Sequence, residues 1–268
     1  MKYIRLVIIL LLSISATSTV HASSPEQVSF TSVTELEYAP ADEVLFYGNA
    51  EQQFVEYWAG TSNRNVVLVH GGCWLNAYGV DHIRPTASEL AEQGFHVWAV
   101  EYRRLGDENG GWPTSKHDVA AAIDLVASRA GDSPIVVAGH SAGGHLALLA
   151  AENTQTQVSQ VMGLAAITNL EHYAQQEGSC QGAGAQFLAT ASASERDELN
   201  VKQSSTLSRI LFAGDSDPIV PARQAELGNT SNVVIHGAGH FDFVHPETSA
   251  WQTWVGHLHT TFNALEAE

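Results

Sequence analysis

The chain is poorest in cysteine, methionine and basic residues: of 268 residues, two are Cys, two are Met and 12 are Lys or Arg, against 29 Asp or Glu. At a formal charge of −17, nucleic acid and anionic membrane surfaces are repelled, which excludes them as principal partners. The acidic residues are scattered rather than gathered in a tail, the pattern of a solubilising surface. Long apolar runs are missing too. The longest, from Leu6 to about Leu12, follows Lys2 and Arg5 and is too short to cross a bilayer as a stable helix. Val20-His21-Ala22 offers small residues at the positions a signal peptidase reads, so residues 1–22 are expected to be a signal peptide cleaved after Ala22. Ser23 rather than Cys follows, so nothing suggests a lipidated N-terminus, and the expected location is periplasmic or secreted. Two cysteines cannot make a disulfide framework. In an oxidising compartment a single bridge between Cys73 and Cys180 is permitted; the alternative is two separate thiols, one half buried in a tight turn and one in a mobile loop.

Beyond the leader, ~246 residues fit one large α/β domain better than two independent ones. From residue 28 to 59, β-formers mix with polar residues, as in Val44-Leu45-Phe46-Tyr47 and Phe54-Val55-Glu56-Tyr57-Trp58, and read as antiparallel edge strands. From Asn65 onward, short solid apolar runs alternate with amphipathic stretches. Strands are expected at 66–69, 95–100, 135–138, 158–164, 210–213 and 233–235, with helices over 83–93, 117–129, 142–152 and 248–265. Apolar strands separated by helices require a mostly parallel sheet covered on both faces. Residues 168–208 turn polar and rich in Ala, Ser, Gln and Gly, and read as an insertion above the sheet, a small lid or substrate wall.

Gly139-His140-Ser141-Ala142-Gly143 lies between the strand at 135–138 and the helix that follows. A strand-to-helix turn this sharp forces its central residue into a strained conformation and exposes the serine oxygen at a helix N-terminus, where developing negative charge is favoured. Ser141 is therefore the candidate nucleophile. A hydroxyl at neutral pH needs a base, and the base needs an orienting group. The turn after the strand at 210–213 offers Asp215 and Asp217; Asp217 is preferred, since Asp215 follows the strand's glycine too closely and suits bonding to the turn backbone. After the last strand, Gly237 and Gly239 free a loop that projects His240, preferred as base over His236. His236, His240 and His245 could also be read as a metal cluster, but the loop lacks the rigid helix and the matching Cys or carboxylate ligands that zinc sites use. His140 and His145 are expected to pack or hydrogen-bond locally. His70-Gly71-Gly72-Cys73-Trp74, after the strand at 66–69, supplies close-approaching backbone for an oxyanion hole. Gly71, Gly72, Cys73 and Ala142 are the candidates, with the exact donors left open.

With these pieces assembled, the sequence resembles the α/β-hydrolase superfamily, in particular the branch with an HGG-type oxyanion motif that holds small acyl-esterases and kynurenine-formamidase-like enzymes. The matching parts are residues 70–74, Glu101-Tyr102-Arg103, Trp112-Pro113 with His117-Asp118, residues 139–145, Asp217 and His240. Many HGG relatives carry a third glycine where this chain has Cys73. The resemblance implies an α/β-hydrolase fold and acyl transfer to water without metal or organic cofactor. The expected substrate is a small ester (carboxylesterase-type), with arylformamide or short-peptide cleavage as alternatives. Trp74 and His140 are candidate pocket residues, and Trp112, Tyr173 and Phe187 could line an acyl or aryl pocket or belong to the core. A non-catalytic binding protein on the same scaffold would lack one of the three candidate catalytic residues; all three are present.

Overall fold

The structure, a computed structural model, describes residues 27–176 and 179–267; the expected leader lies outside the described residues. The strands, in chain order, are β1 Glu43–Phe46, β2 Phe54–Trp58, β3 Asn65–Val69, β4 His96–Val100, β5 Ile135–His140, β6 Gln160–Leu164, β7 Arg209–Gly214 and β8 Ser231–Ile235. They form a sheet in the order β1-β2-β4-β3-β5-β6-β7-β8. β1 and β2 pair antiparallel and β2 pairs antiparallel with β4; all other pairings are parallel. The solid apolar runs follow from this placement. Every residue of β3 and β5 is buried, because parallel strands at the centre are covered on both faces.

Side-chain alternation splits those runs between two cores. Val67, Val69 and Val137 face a core shared with helices α3 (Thr114–Ala130) and α4 (Ala142–Ala151), through Val119, Ile123 and Leu146. Val66, Leu68 and Val136 face a second core with helices α2 (Arg84–Glu92) and α7 (Ser249–Leu265), through Leu90, Trp254 and Phe262. The one polar residue at the start of β3, Asn65, is 3 % exposed and accepts a hydrogen bond from Trp98 Nε1 at 3.2 Å, which meets the requirement that buried polar groups be partnered. α4, directly after β5, is buried along its whole length, so its N-terminus is held rigidly at the carboxyl edge of the sheet.

One segment differs from the sequence reading. The stretch from residue 28, expected to be extended, opens with a short helix at Phe30–Thr34. Ser29 caps it, its hydroxyl accepting from the Ser32 N–H at 3.0 Å, and this local bond overrides β-propensity. The insertion at 168–208 carries the helices Leu170–Ala174 and Ala183–Ala189 and two single 3-10 turns. It packs its own apolar groups into the first core, with Tyr173, Phe187 and Leu199 fully buried.

Candidate active site

Ser141 sits between β5 and α4 with φ 55° and ψ −122°. A non-glycine residue in this region costs about 1–3 kcal/mol and persists only where its surroundings over-determine it. Here they do. The Ser141 N–H donates to the Leu164 carbonyl of β6 at 2.9 Å, and its own carbonyl accepts from the His145 N–H at 3.1 Å. A Cβ at position 143 would lie 2.1 Å from the His70 carbonyl, and one at position 139 would lie 2.5 Å from the Gly143 carbonyl. Both flanking glycines are thus required by close backbone approach.

His240 and Asp217 meet over the sheet. The His240 Nδ1–H donates to Asp217 Oδ2 at 2.7 Å, with side chains 4 % and 0 % exposed. The other carboxylate oxygen, Oδ1, accepts from the N–H groups of Ile219 and Val220 at 2.7 and 2.8 Å. Asp217 is therefore fixed by three donors, and it holds an imidazole whose Nε2 has no hydrogen-bond partner among the described residues. His240 and Ser141 line the same cavity, and among the described residues no hydrogen bond joins Ser141 Oγ to His240 Nε2. The competing pair also forms, but elsewhere. His236 Nδ1 bonds Asp215 Oδ2 at 2.6 Å with the His236 side chain 98 % exposed, and Asp215 Oδ1 accepts from the Gly237 N–H at 2.7 Å. The three histidines of the loop thus have separate partners, His245 Nδ1 accepting from the Glu247 N–H. Among the described residues no group of three His, Cys, Asp or Glu is placed to hold a metal ion.

The loop after β3 is shaped by three successive residues at positive φ: Gly72 (104°), Cys73 (56°) and Trp74 (58°). Gly71 packs against Ser141, where a Cβ would stand 3.0 Å from that of the serine. No N–H of Gly72, Cys73 or Ala142 is engaged within the described structure, which leaves these donors available to a substrate oxygen. His70 anchors the loop from below. Its two ring nitrogens face acceptors, the Gly71 carbonyl at 2.7 Å and Glu101 Oε1 at 3.0 Å, and its ring stacks on Tyr102 at 4.4 Å. Arg104 pairs with the same carboxylate at 3.0 Å. Burial pushes the Glu101 carboxyl up, but the charge and hydrogen bond of His70, then Arg104, outweigh it and hold the group at about 2. Cys73 is bridged to Cys180, so the loop after β3 is covalently tied to the insertion.

The cavity that these parts surround has a volume of about 300 Å³, with Phe30, Tyr78, Ile219 and Phe241 among its apolar lining. A larger hollow of about 400 Å³ lies at the surface by Tyr38 and Pro85 and holds none of the candidate residues. His140 lines the same cavity as Ser141 and His240, and its Nε2–H donates to the His240 carbonyl at 2.9 Å. Burial, then the neighbouring His240 and His82, hold its pKa well below the ordinary value. It is thus a neutral tie between the turn at Ser141 and the histidine loop, a longer-range contact than local packing. Of the other pocket candidates, Trp74 does not line the cavity. It is fully buried, stacks on Phe187 at 5.1 Å and donates to His145 Nδ1 at 3.3 Å; Trp112, Tyr173 and Phe187 likewise belong to the core. His145, lowered to about 4 by burial against the opposing Leu199 bond, donates from Nε2 to the Leu199 carbonyl at 2.7 Å and so joins α4 to the insertion. Phe30, within the stretch expected to form edge strands, also lines this cavity, and Asp242, two residues after His240, accepts from the N–H groups of Val28 and Gly239, a pairing with no signal in the sequence.

The BD-FAE family model matches residues 58–231, a stretch that contains His70 to Trp74, Ser141 and Asp217. Among solved structures, esterase B from Lactobacillus rhamnosis aligns over 88 % of this chain and 90 % of its own with a TM-score of 0.72 at 20 % identity. A thermophilic esterase from Thermogutta terrifontis aligns over 84 % and 93 % with a TM-score of 0.64 at 21 % identity. The lysophosphatidylserine lipase ABHD12 of Gallus gallus is 30 % identical over 96 residues, 35 % of this chain. That match spans only 24 % of the curated relative's length. The architecture is that of the α/β-hydrolases.

Proposed function

Since the chain belongs to the BD-FAE family, we propose that it hydrolyses small carboxylic esters through an acyl-enzyme on Ser141. The observation that carries this reading is the convergence of a strained serine, φ 55° at a helix start, and a buried Asp217–His240 pair on one cavity. His240 Nε2 takes the proton of Ser141 Oγ as the oxygen attacks the ester carbonyl carbon. The carbonyl oxygen gains negative charge, which N–H groups of Gly72, Cys73 and Ala142 stabilise. His240 then passes the proton to the departing alcohol oxygen, leaving the acyl group on Ser141. Water, deprotonated by the same imidazole, repeats the attack and frees the acid. Asp217 keeps the imidazole in the tautomer that presents Nε2 and balances its transient charge. Several structural neighbours are named as esterases, which supports ester over amide chemistry. The cavity volume, about 300 Å³, is at the small end of ligand sites and suits short acyl chains.

Cys180 and Gln181 line the cavity, so the insertion acts as one of its walls. Export remains part of the proposal, supported by the leader pattern and by a bridge that an oxidising compartment sustains. The test is hydrolysis of p-nitrophenyl esters of increasing acyl length, with N-formylkynurenine and aminoacyl anilides in parallel, on the native chain and on Ser141→Ala. Preferential turnover of short esters, abolished by the substitution, is expected. Turnover that survives Ser141→Ala, or that favours the formamide, overturns the proposal.

A further inference from the structure

We propose that residues 27–34, which precede the first strand, form a wall of the active site, and that Phe30 in this segment selects the leaving group, favouring esters of aryl and other flat, bulky alcohols. This rests on the ester-hydrolase reading given above. The segment reaches three of the four elements that carry the candidate catalytic machinery: the Asp217 turn, the His240 loop and, through Tyr78, the loop after β3. Gln27 Nε2 donates to the carbonyl of Ser216, the residue before Asp217, at 3.0 Å. The Val28 N–H donates to Asp242 Oδ1 at 2.9 Å, while Asp242 Oδ2 accepts from the N–H of Gly239, the residue before His240, at 3.0 Å. One buried carboxylate, 8 % exposed, therefore fastens the segment to the histidine loop. The third contact runs through Phe30 itself. Its ring meets Tyr78 edge-on at 5.5 Å, and Tyr78 in turn covers the oxyanion glycine, where a Cβ on Gly72 would fall 2.4 Å from that of Tyr78.

Phe30 also meets Phe241 at 5.6 Å, and Phe241 lies 5.1 Å from the His240 ring. Phe30, Tyr78 and Phe241 all line the cavity. The direction of the chemistry assigns this wall. The imidazole delivers its proton to the departing oxygen, so the alcohol portion of the ester must lie on the histidine side, against these rings. Edge and face contacts from three aromatic side chains favour a ring over an alkyl chain.

The experiment measures kcat/KM for 2-naphthyl acetate and ethyl acetate, which differ only in the alcohol, and for p-nitrophenyl acetate and butyrate, which differ only in the acyl group. It uses the native chain, Phe30→Ala, Phe30→Leu and Phe30→Trp; comparing ratios between variants cancels intrinsic leaving-group reactivity. Phe30→Ala is expected to lower the naphthyl-to-ethyl ratio about tenfold, the effect of losing one aromatic wall. Phe30→Leu should fall between, and remains readable if the alanine variant does not fold. Phe30→Trp should lower the same ratio by crowding, and the butyrate-to-acetate ratio should hold within about twofold. An unmoved alcohol ratio in all three variants, or a shift confined to the acyl ratio, overturns the proposal. Ser141→Ala run beside them keeps the two readings apart. If it is inactive while the Phe30 ratios stay flat, only the role of Phe30 fails; if it hydrolyses the esters, the underlying reaction assignment fails.

Discussion

Opening the Cys73–Cys180 bridge should cost stability and activity together, for separable reasons. The bridge joins residues 107 apart, and the chain-entropy account of closing a loop near 100 residues gives about 4.7 kcal/mol, with 2–4 kcal/mol typical of measured cases. Against a total stability of about 5–15 kcal/mol for a folded domain, that is a large fraction. A second, opposing effect is local: Cys73 sits at φ 56°, a conformation that glycine adopts freely and other residues do not. The variant Cys73→Gly/Cys180→Ser should therefore be more stable than Cys73→Ser/Cys180→Ser by about 1 kcal/mol. Activity responds through geometry, because Cys73 belongs to the oxyanion loop and Cys180 to the wall that faces it. Displacing one oxyanion donor costs about 10²–10³ in kcat. The loop retains its anchors at His70 and Trp74, so a loss nearer tenfold is expected, in kcat more than in KM. Urea denaturation with and without reductant measures the first effect, ester kinetics the second, and alkylation mass shifts establish the redox state. Two alkylatable thiols in unreduced protein would refute the bridge itself. A bridge present but without influence on denaturation would refute the energetic reasoning.

Four further outcomes follow from the same coordinates. Asp217→Asn should lower kcat by about 10³–10⁴ while leaving the fold intact by circular dichroism. His236→Ala should stay within twofold of native turnover on p-nitrophenyl acetate, since its pair with Asp215 is at the surface; a loss comparable to that of Asp217→Asn would exchange the two assignments. Gly143→Ala should destabilise by more than about 3 kcal/mol or fail to accumulate, because its Cβ meets the His70 carbonyl; a native denaturation midpoint would contradict the packing. Stability should also rise with pH between about 4 and 6.5. His82, lowered to about 3 by burial first and His70 next, and His145, lowered to about 4 by burial, stay neutral in the fold while the unfolded chain takes up protons. The unfolded state is thus favoured as pH falls below 6.5, each histidine contributing up to about 1.4 kcal/mol per pH unit. Glu101, held at about 2, acts in the same direction only below its ordinary carboxylate range. Urea midpoints that are flat from pH 7 to 5 would contradict this.

Much of the site was legible because its chemistry is local. The turn at Ser141 declares itself through Gly139, Ser141 and Gly143, whose spacing reflects backbone clashes that the structure makes explicit. The offset beyond a strand end favours Asp217 and His240 in the sequence; in the structure each aspartate takes a histidine, and burial and the cavity that His240 shares with Ser141 distinguish the two pairs. The parts that escaped depend on meetings between distant segments. Phe30 lies in a stretch whose apolar content reads as strand, and nothing near it signals that it closes a cavity built by residues 78 and 241. Trp74, beside the oxyanion glycines, reads as a pocket residue until its positive φ directs the indole into the core against Phe187. His140 shows the same limit, since its partner is a carbonyl 100 residues away.

The most direct measurement is the site of covalent modification by an alkyl fluorophosphonate, located by peptide mass spectrometry. A serine activated by His240 and facing oxyanion donors should carry one adduct per chain, on Ser141, with labelling slowed by orders of magnitude in His240→Ala. Failure of the native chain to label, or an adduct on any other residue, would contradict the assignment of Ser141 as nucleophile.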